Sequence, residues 1–137
     1  MNPAMRITAY FEACGHGSAD NIAAHFTPDA VIYDTNLRPF RGADTIGTMW
    51  VKVRSRWGGA TWHVDSIVAG LDETQSVAAI EWSMKGSDPG SGREFVFRGS
   101  EHYVFRDSLI AEIRQYWTFD PVALDTGLVD YDYGSHG

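Results

Sequence analysis

Two stretches near the C-terminal end, VFRGSEHYVF (Val96–Phe105) and LIAEIRQYWTF (Leu109–Phe119), read as long strands separated only by Arg106, Asp107 and Ser108. A connection that short forces an antiparallel hairpin, and every side chain along it is then committed to one of two faces. A half-buried strand normally keeps one face dry. Here both alternation classes carry ionisable groups beside large rings: Glu101, Tyr103, Gln115 and Trp117 on one, Arg98, His102 and Arg114 on the other. A polar group held in an apolar setting is the expectation that follows.

At 137 residues the chain suits one domain, here taken as 1–137 with 120–137 as a C-terminal tail or flap. Aromatic residues make up 13%, with five Trp and six Tyr, more than a core of this size requires, so a ring-lined cavity or interface is expected. The formal charge of −7 argues against nucleic acid and against anionic membrane surfaces, because no segment supplies a basic face. Cys14 stands alone, so neither an internal disulfide nor a cysteine-based zinc site is expected. Without a bilayer-length apolar run or a basic segment leading into one, a cytoplasmic location is the default.

Along the chain, Ile7, Tyr10, Phe11 and Cys14 predict a helix over Met5–Cys14. Ser18 is expected to cap a second helix running through His25. Thr27-Pro28-Asp29 reads as a turn into a strand Ala30–Asp34, followed by a loop Thr35–Gly42 and a helix Ala43–Trp57 closed by Gly58-Gly59. Strands Thr61–Ala69 and Gln75–Lys85, joined by a turn Gly70–Thr74, and a loop Gly86–Gly92 lead into the long hairpin. Helices first and antiparallel strands after them make the class α+β.

Helix 1 with A-Y-F-E, a first strand A-V-I-Y-D placed before the third helix, and strands carrying R-G-S-E-H-Y and I-A-E-I-R-Q-Y-W together resemble the nuclear-transport-factor-2-like superfamily, in its SnoaL-like polyketide cyclase and ketosteroid isomerase branch. The resemblance spans roughly Met5 to Phe119. It implies three N-terminal helices packed on a strongly curved, mostly antiparallel sheet, forming a cone with an internal pocket, and a homodimer joined through the outer sheet face. In ketosteroid isomerases a helix-1 tyrosine and an inward aspartate donate hydrogen bonds, and an aspartate ending the first strand is the base. Carried over, these roles fall on Tyr10, Glu101 and Asp34. Glutamate replaces the usual aspartate at Glu101, which changes the reach of that donor.

Taken as residues, Asp34 ends an apolar strand and opens an irregular loop, an address that suits either a base touching both substrate and solvent or a carboxylate capping a turn. Tyr10 is either a donor facing a cavity or a core tyrosine satisfied by backbone. Glu101 is either desolvated and protonated or ionised and paired with an arginine. Trp50, Trp62, Trp82, Tyr103, Gln115 and Trp117 are the expected substrate-binding set, with Ile80, Met84 and Ile113 behind them. On the opposite face Glu81, Arg98, Arg114 and His102 are expected to form an ionic network. His63 and Asp65 lack a third ligand, so no metal is expected, and no motif implies a cofactor.

The function that follows is a cofactor-independent acid–base enzyme, an isomerase, cyclase or dehydratase, acting on a small apolar carbonyl compound of polyketide-like or steroid-like kind. The alternative is a non-catalytic module that binds a small ligand or docks a protein. A limonene-type epoxide hydrolase is a third reading, disfavoured because Gln115 stands where that family has an acid.

Overall fold

The computed structural model describes residues 1–72, 74–120 and 122–136. Three helices, α1 (Pro3–His16), α2 (Ala19–Ala23) and α3 (Ala43–Arg56), accompany six strands: β1 (Phe26–Asp34), β2 (Phe40–Arg41), β3 (Thr61–Asp72), β4 (Gln75–Ser87), β5 (Glu94–Arg106) and β6 (Leu109–Trp117). The strands form one curved, unclosed sheet in the order β2-β1-β6-β5-β4-β3. All neighbours run antiparallel except β1 and β6, which are parallel. Among the described residues no helix is long and apolar enough to cross a membrane.

Local chemistry explains the helix ends. The side chain of Asn2 accepts the Met5 amide at 2.8 Å and Pro3 opens α1, where its missing N–H costs nothing. Ile7, Tyr10 and Cys14 then fall on one buried stripe. Ser18 caps α2 in a capping box with Asn21. That helix stops at Ala23, short of His25, whose carbonyl is taken instead by the Ile110 amide at 2.9 Å. α3 crosses α2 closely at Gly47, where any β-carbon would sit 2.3 Å from the Ala19 carbonyl oxygen.

Beyond shifts of about two residues at other element ends, three segments depart from the sequence expectation. Thr27-Pro28-Asp29 is not a turn but lies inside β1, where the register against β6 slips between Phe26 and Val31. Proline has no N–H for the ladder, and the strand accommodates it by an irregularity rather than by ending. The loop Thr35–Gly42 contains the short strand β2, which pairs Phe40 with Ile32. β3 runs on to Asp72 and β4 starts at Gln75, so the turn between them is tighter than Gly70–Thr74, and Glu73 lies outside the described residues.

The long hairpin turns at Asp107 and Ser108, both with positive φ, 53° and 67°, which is the geometry whose twist suits two adjoining strands. Phe105 pairs with Ile110 but Val104 pairs with Glu112, so Ala111 is an extra residue that bulges from β6. Beyond the bulge Tyr103 pairs with Ile113, Glu101 with Gln115 and Gly99 with Trp117. The buried core gathers Ile7, Ile22, Ile46, Ile80, Ile110 and Ile113 with Phe26, Phe95, Phe97 and Phe105. Each fully buried aliphatic or aromatic side chain of this kind contributes about 2 kcal/mol.

On the other face the expected ionic network does not form. Glu81 accepts from Ser66, Arg114 pairs with Glu112 on its own strand, and Arg98 pairs with Asp125 at 3.6 Å while its guanidinium stacks 3.6 Å over the Tyr133 ring. Arg98 is drawn away because the tail runs beside β5 beyond the end of β6. There the Val96 amide donates to the Leu124 carbonyl at 2.7 Å and the Thr126 amide to the Val96 carbonyl at 3.1 Å. Pro121 and Gly137 of the tail lie outside the described residues.

Candidate functional site

Strand register assembles the polar heart of the site. Asp34 pairs with Gln115, Gln115 with Glu101 and Glu101 with Ile80, so three polar side chains stand abreast on β1, β6 and β5 in an otherwise apolar sheet. The next row is aromatic, with Trp117 and Trp82 flanking Gly99. A β-carbon at Gly99 would lie 2.6 Å from Cζ2 of Trp82 and 2.8 Å from Cβ of Trp117, so only glycine lets the two indoles meet, edge to face at 5.9 Å.

Above these rows, enclosed by α1 and α3, is a cavity of about 310 Å³. Asp34, Tyr10, Glu101, Trp50, Trp62, Trp82, Gln115 and Trp117 all line it. Tyr103 does not. It sits one row deeper, paired with Ile113 and Ala78, and its hydroxyl donates to Oε2 of Glu101 at 2.5 Å. Ile80 and Ile113 are likewise buried behind the lining, whereas Met84 reaches it. The sequence reading placed Tyr103 in contact with substrate because strand alternation fixes the face but not the depth along it.

Asp34 is held by three donors. Gln115 Nε2 and Trp117 Nε1 reach its Oδ2 at 3.0 and 2.9 Å, and the Asn36 amide reaches its Oδ1 at 2.7 Å. The last is an Asx turn, so the carboxylate that lines the cavity is also the one that shapes the loop leaving β1. Thr35 ties that loop to β6, its hydroxyl donating to the Trp117 carbonyl at 2.6 Å. The D-T-N order at the strand end carried this signal, which the sequence reading gave as a carboxylate capping a turn, but Asn36, which also lines the cavity, was not singled out.

Glu101 is 2% exposed and no arginine pairs with it among the described residues. Burial raises its pKa from 4.5 to about 7; the Tyr103 hydroxyl pulls the other way, and the negative charge of Asp34 adds to the rise. Its carboxyl is therefore close to half-protonated at neutral pH. Tyr10 is 1% exposed, and its hydroxyl has no hydrogen-bond partner among the described residues, so it is not satisfied by backbone. Burial first, then Cys14 and Glu101, push the phenol well above its ordinary value and keep it a neutral donor. Cys14 is also on the cavity wall, and burial pushes its thiol up, away from the thiolate a nucleophile needs.

Sequence reasoning missed much of the helical wall. Phe11 of α1, Met49, Val53 and Arg56 of α3, and Trp57 just past its end, line the cavity, as does Phe119 beyond β6. The i, i+4, i+7 spacing of Met49, Val53 and Arg56 was the available signal. Arg56 stacks over the Trp57 ring at 5.7 Å. No group of three His, Cys, Asp or Glu side chains among the described residues is placed to hold a metal ion; His63 instead meets the Thr61 hydroxyl and Asp65 the Ser83 hydroxyl.

No curated protein matches the chain. Among solved structures, a protein of unknown function with a cystatin-like fold from Methylobium petroleophilum PM1 is 28% identical over 98% of this chain and 88% of its own, with a TM-score of 0.69. A protein with a ketosteroid isomerase-like fold from Catenulispora acidiphila DSM 44928, in complex with trimethylamine, is 16% identical over 93% of this chain and 95% of its own, with a TM-score of 0.74. IdmH from Streptomyces antibioticus, a candidate polyketide cyclase, is 21% identical over 90% of this chain and 96% of its own, with a TM-score of 0.73. The family model of the SnoaL-like domain matches residues 7–113, and with helices, sheet order and cavity walls as described the chain belongs to the SnoaL-like domain family, in the nuclear-transport-factor-2-like superfamily.

Proposed function

We propose that the protein is a cofactor-independent acid–base enzyme acting on a small, mainly apolar carbonyl compound, with the curved sheet and helices serving as a cone around its substrate. The observation that carries this reading is the in-register row Asp34–Gln115–Glu101 on a ring-lined cavity, with a carboxyl poised near neutrality at one end and a carboxylate at the other. The SnoaL-like family and the candidate polyketide cyclase among its structural neighbours support small-molecule chemistry of this kind.

In the proposed step an oxygen of Asp34 takes a proton alpha to the substrate carbonyl. The C–H electron pair becomes an enolate, and the Tyr10 hydroxyl and protonated Glu101 hydrogen-bond its oxygen. Donors set where charge develops are typically worth about 3 kcal/mol each in the transition state. Return of the proton to another carbon is an isomerisation; attack of the enolate on a second carbonyl is an aldol-type cyclisation. Gln115 and Trp117 keep the Asp34 carboxylate aimed, since both donate to the same oxygen.

The test is hydrogen exchange at the alpha carbon of a panel of enolisable two-ring ketones in deuterated buffer, followed by NMR. Wild-type protein is expected to accelerate exchange, and Asp34→Asn to lower the acceleration by about a hundredfold or more. No acceleration with any member, or full acceleration in Asp34→Asn, overturns the reading. A passive binding module is the second reading, favoured by one observation: Asp34 already accepts three hydrogen bonds, which leaves it fewer lone pairs for a proton. Binding of the panel without exchange is its outcome.

A further inference from the structure

Exposure is graded along the cavity wall. Tyr10 and Glu101 are buried on its floor, whereas Asn36, Leu37, Arg56 and Phe119 are exposed and form its mouth. Arg56 is the one cationic side chain among the described lining residues, and it enters no ion pair among the described residues although the chain carries a formal charge of −7. Its guanidinium carbon lies 5.7 Å from the centroid of the Trp57 ring, which is itself part of the wall. Stacking engages the face of the guanidinium and leaves its N–H edge for a planar acceptor.

The mouth does not end at Arg56. An open groove along α3 shares Phe40, Met49, Val53 and Arg56 with the cavity and continues to Lys52, which lies on the same side of the helix one turn back. Asp44 also borders this groove, but two helical turns beyond Lys52, about 12 Å along the axis and outside the ~8 Å over which exposed charges act at physiological salt. The end of a helix favours cations for its own sake, so positive charge here is expected. An arginine set on the rim of a ring-lined cavity without an acid partner is a further matter. Inside the cavity an anion would face two acids, Asp34 and Glu101; at the mouth it meets Arg56 and Lys52. A ligand that suits both ends is apolar where it enters and anionic where it stops.

We propose that the ligand is an amphipathic carboxylate whose ring body enters the cavity and whose carboxylate is held at the mouth by the N–H edge of Arg56, with Lys52 adding charge alongside. This rests on reading the cavity as the substrate site. It narrows the carbonyl compound to a ring-bearing keto acid and makes Arg56 a specificity-determining residue.

The experiment is calorimetric titration of the full chain at pH 7.5 with two probes of one shape, 6-carboxy-1-tetralone, which is an anion, and 6-carbamoyl-1-tetralone, which is neutral. The anion is expected to bind about fivefold more tightly at low salt, as a partly exposed ion pair allows, and the preference to shrink to about twofold in 0.5 M sodium chloride. Arg56→Gln keeps a polar side chain and removes the charge. It is expected to abolish the preference and leave affinity for the carbamoyl probe within about twofold, which also shows the variant folded. Lys85→Gln removes an exposed cation that does not line the cavity, and is expected to leave the preference as it is. No preference in wild type, a preference that survives Arg56→Gln, an equal loss for the carbamoyl probe, or an equal effect of Lys85→Gln overturns the proposal. Because binding is read and turnover is not, a carboxylate preference without alpha-proton exchange would defeat the enzymatic reading alone, whereas exchange of both ketones at equal affinity would defeat this one alone.

Discussion

Replacing Glu101 by glutamine separates the cost of burying its charge from every other acid in the protein. In the folded state the side chain holds its proton up to about pH 7, whereas the unfolded chain releases it near the ordinary 4.5. Between those values the folded form binds more protons than the unfolded one, so stability falls as pH rises. The contribution is intact below about pH 4.5, is lost progressively up to about pH 7, and is fully lost above it. At ~1.4 kcal/mol per pH unit the interval amounts to about 3 kcal/mol. Glutamine keeps an oxygen for the Tyr103 hydroxyl and never ionises. Urea unfolding of wild type and Glu101→Gln at pH 4.5 and pH 8 should therefore show the variant gaining about 3 kcal/mol relative to wild type between the two conditions. All other titrations cancel in that comparison. A difference that stays constant with pH within about 0.5 kcal/mol would refute a desolvated carboxyl at this position.

Tyr10→Phe removes a buried hydroxyl that has no partner, so unfolding free energy is expected to change by less than about 1 kcal/mol, while alpha-proton exchange falls by about a hundredfold; a large loss of stability with unchanged exchange would reassign Tyr10 to the core. Gly99→Ala puts a methyl group 2.6 Å from Trp82 and 2.7 Å from the Tyr116 carbonyl, and is expected to cost about 1–3 kcal/mol in thermal or urea unfolding together with loss of ligand binding; a neutral alanine would show that the indoles yield without cost.

How legible the molecule was depended on the range of the interactions involved. Helix caps are local, and Asn2 aside, Ser18 and the Ala43 start of α3 followed from a few residues each. The hairpin pairing was readable because Arg106, Asp107 and Ser108 leave the chain no alternative. The inward placement of Glu101 with Gln115 was one of two parities, and only neighbouring strands decide between them. Pro28 misled because its meaning depends on whether the ladder there needs its N–H, which is a property of the partner strand. The helical wall of the cavity, Met49, Val53 and Trp57, was hidden for the same reason: a stripe beside a core and a stripe beside a hollow have identical spacing. The tail's hold on Arg98 was invisible, since pairing between residues far apart in the chain leaves no local signature.

The supernumerary residue Ala111 has a reach well beyond the two or three bonds it disturbs. Ile110 and Ile113 both face the interior across it, an odd separation that a regular strand forbids. Were that alanine taken into the ladder opposite Val104 instead of bulging, with Ile110 still opposite Phe105, the remainder of β6 would present its opposite edge: Arg114 would stand beside Glu101, and the glutamine and tryptophan that steer Asp34 would look outward. The chemical character of the hollow, anionic and indole-lined rather than cationic, is therefore set by the bulge at an alanine that does not line it.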